Sequence, residues 1–159
     1  MNRQLWILLA VAVSIIAAGV VFTVGSERTT TLVVDSEGNA QLEISTEPGA
    51  EVALEYTHSV EQTPVTDIYL VTEQGLVSDR MLFSSFGAGL PAQADVTREG
   101  DRYVYEPPVQ RYDPLIVTTG PIAGHELVVD GERFDLTEIA DGGTVQIRVE
   151  HGLRDTYGI

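Results

Sequence analysis

Beyond residue 30 the chain alternates between apolar and polar positions, in short runs broken by glycine, proline and acidic turn residues. A period of two places successive side chains on opposite faces of a strand, so each run predicts a strand with one buried face. Strands are predicted at Thr31–Asp35, Ala40–Thr46, Glu51–His58, Val65–Thr72, Leu76–Ser84, Arg102–Tyr105, Leu115–Thr119, Glu126–Asp130, Arg133–Leu136 and Thr144–Glu150. Between them, Ser36-Glu37-Gly38-Asn39, Glu47-Pro48-Gly49, Glu73-Gln74-Gly75 and Gly131-Glu132 carry turn chemistry. Leu90 to Pro114, with Pro91, Pro107, Pro108 and Pro114, is the longest irregular stretch. No helical periodicity follows residue 25. The expected fold is all-β: an antiparallel β-sandwich or open barrel of about 8–9 strands.

The alternation does not extend to the N-terminus. Leu5 to Val24 is an uncharged apolar run, and as a helix it spans roughly 30 Å, the thickness of a bilayer core. Trp6 sits at one end, Arg3 precedes the run, and every acid follows it, from Glu27 onward. The positive-inside tendency then orients everything after about Gly25 to the outside. The run is longer than the apolar region of a secretory signal, which favours an uncleaved anchor, although Thr23-Val24-Gly25-Ser26 is a tolerable cleavage site. The expected organisation is a membrane anchor or signal over residues 1–25, a connector over 26–31 and an extracytoplasmic domain over 32–159. The expected location is the cell membrane, single-pass with the domain outside, or, after cleavage, the medium.

Charge sharpens this picture. The chain of 159 residues carries 24 acids and nine basic residues, all arginine, for a net charge of −15. That charge repels nucleic acid, which is excluded as a partner. It also strains a compact state in dilute buffer and is screened at molar salt, where the Debye length is about 3 Å. The acid excess and the lack of lysine point to a salt-adapted protein. The absence of cysteine removes disulfides, thiolate metal sites and cysteine nucleophiles.

Two stretches hold candidate chemistry. In Tyr56-Thr57-His58-Ser59-Val60-Glu61-Gln62-Thr63-Pro64, His58 ends the row of Val52, Leu54 and Tyr56, and Glu61 is placed to fold over it. A histidine–carboxylate pair can polarise a ligand or hold a metal, but a structural histidine that closes the end of the core satisfies the same pattern. A metal needs further ligands; Asp67, His125 and His151 are the candidates, and no spacing links them. Ser59 cannot pair with His58 as nucleophile and base, because neighbours on a strand point to opposite faces. The second stretch, Ser84-Ser85-Phe86-Gly87-Ala88-Gly89-Leu90-Pro91, reads as a sharp bend, since Pro91 and the acidic charge argue against a phosphate cradle. Arg111-Tyr112-Asp113 reads as a surface cluster. Nothing here argues for catalysis or for a cofactor.

The strings YTHSVEQTPVTDIY, SFGAGLP and GPIAGHELVVDG strongly resemble domain-of-unknown-function family 1850, over about Thr31 to Glu150, with the acidic chain a haloarchaeal-like member. The resemblance implies a small extracytoplasmic protein with an N-terminal membrane segment, associated with tripartite ATP-independent transporters of the TAXI subtype. It implies no catalytic residue. The expected function is therefore that of a non-enzymatic accessory protein. It would contact transporter subunits or the extracytoplasmic solute-binding protein. The alternative is a small-ligand or metal-binding module using His58 and Glu61. The expected shared patch comprises Tyr56, His58, Ser59, Glu61, Thr63, Pro64, Phe86, Gly87, Gly89 and Pro91. The hairpin joining the first two strings should return them to one end of the domain, with Pro64 and Gly87 within about 12 Å.

Overall fold

The computed structural model of the chain describes residues 28–86 and 95–153. The apolar run at residues 5–24, and Gly87, Gly89 and Pro91, lie outside the described residues. Among the described residues no helix is long and apolar enough to cross a membrane.

Among the described residues twelve strands form two antiparallel sheets. The strands are β1 (Arg28–Ser36), β2 (Asn39–Thr46), β3 (Glu51–Thr57), β4 (Pro64–Thr72), β5 (Gly75–Phe83), β6 (Val96–Glu99), β7 (Arg102–Tyr105), β8 (Arg111–Tyr112), β9 (Leu115–Thr118), β10 (Glu126–Val129), β11 (Glu132–Asp135) and β12 (Thr144–Leu153), with a one-turn helix α1 (Leu136–Ile139) between the last two. The smaller sheet has the order β2-β1-β12-β9. The larger has the order β11-β10-β3-β4-β5-β7-β6, and β8 pairs β5 beside β7. The sheets stay open and do not close into a barrel, and among the described residues there are more strands than the eight or nine expected.

The alternation explains how the sheets meet. Leu32 and Val34 of β1 and Val145 and Ile147 of β12 turn the buried rows of the small sheet inward. Val52 and Leu54 of β3, Tyr69 and Val71 of β4, and Leu127 and Val129 of β10 do the same from the large sheet, and all ten share one hydrophobic cluster. Each fully buried aliphatic side chain stabilises the fold by about 1.5–3 kcal/mol. A second, smaller cluster centres on Val65 and Phe83 at the far end of β4 and β5.

Several expected boundaries shift, each for a local reason. β3 stops at Thr57, because the His58 N–H donates to the Thr63 carbonyl and the Gln62 N–H to the His58 carbonyl, closing a turn. The residues between β10 and β11 are Asp130 and Gly131, both at positive φ (50° and 84°), not Gly131-Glu132; that pair of conformations is the tight hairpin turn whose twist matches its strands. The strand expected to reach Leu136 ends at Asp135, whose carboxylate accepts from the Thr137 and Glu138 N–H groups and caps α1. β6 and β8 arise inside the proline-rich stretch read as irregular: β6 is mostly exposed and β8 only two residues long, so neither shows a buried row.

Candidate functional site

The first and second strings meet. The Thr63 and Ser85 hydroxyls lie 3.0 Å apart in a hydrogen bond, at the end where Thr57 of β3 pairs with Pro64 of β4 and Val65 of β4 with Phe83 of β5. The third string joins them, because the Thr57 N–H donates to the Ala123 carbonyl at 2.8 Å. Each string contributes one exposed apolar side chain here: Val60 (67%), Phe86 (42%) and Ile122 (73%). Phe86 rests on Tyr103, with ring centroids 4.4 Å apart, and both contact Phe83. The aromatic stack fixes the start of the second string against β7.

His58 does not continue the core row on a strand as expected. It sits half-buried in the turn, where its Nδ1 accepts from the Glu61 N–H at 3.2 Å. Ser59, Glu61 and Pro64 are exposed, and the Gln62 side chain donates to the Ser59 carbonyl. The remaining histidines stand elsewhere. His151 hydrogen-bonds Thr30 and the Glu73 carbonyl. His125 stacks on Tyr56 at 5.3 Å, and burial lowers its pKa. Among the described residues no three histidine or acidic side chains gather to hold a metal ion.

A second feature lies one step inward, and sequence reasoning gave it no role beyond that of a metal candidate. Asp67 has the same parity on β4 as Val65, Tyr69 and Val71, all buried. It is thus an acid in a core-facing row, between the two hydrophobic clusters. Loss of hydration pushes its carboxyl up to about 6, only partly offset by a hydrogen bond from Tyr56. Burial, and then the Asp67 charge, push the Tyr56 and Tyr69 hydroxyls up as well. The signal was present in the sequence as one charged residue at core parity in an otherwise apolar row.

Asp67 reaches solvent through a defect in the sheet. β5 pairs with β7 at Met81–Phe83 and with β8 at Leu76–Val77. Between these pairings β5 carries a bulge, where the register against β4 shifts at Ile68/Tyr69. Here the loop ending at Gln110 replaces a strand: the Ser78 N–H donates to the Gln110 carbonyl at 2.9 Å and the Gln110 N–H donates to the Ser78 hydroxyl at 2.8 Å. The arch encloses a cleft of about 230 Å³ lined by Asp67, Tyr69, Arg80, Pro107, Pro108 and Tyr112, among others. Tyr69 and Tyr112 stand edge to face, 5.6 Å apart at 89°. Arg80 does not neutralise Asp67; its guanidinium pairs with Glu51 at 2.9 Å and with Asp79.

A family model described as a domain of unknown function, DUF1850, matches residues 52–136. The match begins at Val52 on β3 and ends at Leu136 on α1, so it contains all three strings and Asp67. No curated protein and no solved structure matches the chain.

Proposed function

The chain belongs to the DUF1850 family of domains of unknown function, and on that premise we propose that it is a non-enzymatic accessory protein that docks through the string-bearing end of its larger sheet. The observation that carries this reading is the convergence of three separate strings at one end, each with an exposed apolar residue: Val60, Phe86 and Ile122. Scattered exposed apolar residues are ordinary, but a group at one end, rimmed by His58, Glu61 and Gln62, has the make-up of a protein contact. The partner class comes from the family resemblance: the subunits of a TAXI-type tripartite transporter, with the domain outside the membrane and tethered by the apolar run at residues 5–24. The alternative centred on His58 and Glu61 as a ligand or metal pair has less support, because His58 Nδ1 is already engaged by the Glu61 backbone.

Site-specific photo-crosslinking in native membranes tests the reading. A photoreactive residue at Val60 or Ile122 of the full chain should trap a transporter subunit. The same residue at Glu132, beside the turn at the opposite end of β10, should trap little. Equal trapping at both ends, or none at Val60 and Ile122, would refute the docking role. Protease added to intact cells should remove the domain and leave a membrane stub; protection of the whole chain would refute the orientation.

A further inference from the structure

An ionised carboxylate among apolar neighbours is unfavourable unless a cation or several donors compensate it. Within the described residues Asp67 has a phenol as its partner and no arginine or histidine in an ion pair; the nearby Arg80 is held by Glu51 and Asp79. Among the described residues no compensating charge pairs with it, and the place beside it is open, because the bulge in β5 and the arch of residues 106–110 leave the cleft. Two of the cleft's walls are the near-perpendicular rings of Tyr69 and Tyr112. Aromatic faces around a carboxylate form the environment that holds a weakly hydrated positive charge.

We propose that this cleft binds a small organic ammonium ion, with the Asp67 carboxylate as counter-ion and the rings of Tyr69 and Tyr112 as aromatic walls. A volume of about 230 Å³ admits an ion of a few heavy atoms and is too small for a drug-sized ligand. Anions are repelled by Asp67 and by the net charge of −15. The apolar lining of Pro107, Pro108 and Met81 suits alkyl groups on nitrogen better than a bare, strongly hydrated metal cation. This inference is independent of the docking role, since none of the exposed residues Val60, Phe86 and Ile122 lines the cleft.

Binding selects the ionised form, so it weakens in acid. The groups about Asp67 are Tyr56 from β3, Tyr69 from β4, Arg80 and Asp79 from β5, Tyr112 from β8 and Tyr105 opposite Met81 on β7, with His125 behind Tyr56. Burial pushes the Tyr56 and Tyr69 hydroxyls up, so both stay uncharged across this range, and pushes the His125 imidazole down; Asp67 is the member that faces the cleft and changes charge. With its carboxyl pushed up to about 6, about one site in eleven is ionised at pH 5, and the apparent affinity falls about tenfold relative to pH 8.

The test is equilibrium dialysis of radiolabelled tetramethylammonium against the detergent-solubilised full chain in molar sodium chloride. The expected result is saturable binding at pH 8, about tenfold weaker at pH 5, lost in Asp67→Asn, and displaced poorly by an equal concentration of potassium chloride. No saturable binding, binding unchanged in Asp67→Asn, or equal displacement by potassium would overturn the proposal, the last by making the site one for an inorganic cation. Should Asp67→Asn fail to fold by circular dichroism, the pH arm on the unmodified chain decides: affinity equal at pH 5 and pH 8 overturns it.

Discussion

Replacing Asp67 by asparagine should stabilise the domain, and only above a definite pH. The substitution keeps the shape and an acceptor for the Tyr56 hydroxyl but removes the ionisable group. The carboxyl titrates near 3.8 when free of the fold and at about 6 within it, chiefly through lost hydration. Each pH unit of difference is worth about 1.36 kcal/mol, so ionisation in place destabilises the native state by about 2–3 kcal/mol. The sign follows from the raised pKa. Below about 3.8 both states are protonated and the wild-type chain bears no penalty. As pH rises through about 6 the folded carboxyl loses its proton against its surroundings, and that stability is lost. Melting curves of the wild type and Asp67→Asn from pH 4 to pH 8, at fixed molar sodium chloride without organic cations, should therefore lie close together near pH 4. They should diverge through pH 6 and differ at pH 7.5 by roughly 10 °C for a domain of this size. Curves parallel over the whole range, or a less stable variant at pH 7.5, would show that Asp67 is not held in an environment that opposes its charge.

Three further outcomes are expected. Lowering salt from about 2 M to about 0.1 M should lower the melting temperature, as the Debye length grows from a few Å to about 10 Å and the net charge of −15 is unscreened; a constant melting temperature would remove the case for salt adaptation. Gly75→Ala should cost about 2–5 kcal/mol in urea unfolding, since φ is +111° there and a Cβ would strike the Tyr112 carbonyl oxygen and lie 2.9 Å from the Asp113 Cβ; a neutral result would mean that β5 and β8 are less tightly apposed than described. In a double-mutant cycle, Thr63→Val and Ser85→Ala should show a coupling near 1 kcal/mol, and no coupling would mean that the hydroxyl pair does not join the two strings.

The alternation of apolar and polar residues placed most of the long strands within a residue or two, because each of these has a buried or half-buried face. It failed where burial is not periodic. Val96 to Glu99 pairs at an exposed edge, and Arg111-Tyr112 is held by its register against Leu76 and Val77, which no local pattern encodes. The meeting of the first two strings was legible from the hairpin between them, since antiparallel pairing returns the chain to its starting end. The arrival of Ala123 and Ile122 at that end was not, because it depends on β10 choosing β3 as its partner. Asp67 was visible as a charge in a core row, but its cleft required the bulge in β5 and the arch over Ser78, both tertiary features.

The position of β1 in the smaller sheet bears on how the domain carries load. Arg28 pairs with Leu153, and the neighbouring His151 reaches the Glu73 carbonyl, so the chain enters beside the β4–β5 turn. The three strings lie at the other end of β4, roughly 30 Å away at 3.3 Å per residue. A pull between Arg28 and a partner held at the strings therefore runs along the strands. β1 is flanked by β12 over nine register pairs, Arg28 to Ser36, and by β2 from Thr30 onward. Force in that direction loads both ladders in shear, with their hydrogen bonds sharing the strain together. A pull between Arg28 and Leu153, which sit side by side, would instead peel β1 from β12 one pair at a time. The same strand is thus mechanically strong along the line joining Arg28 to the strings and weak against a pull between Arg28 and the paired end of β12.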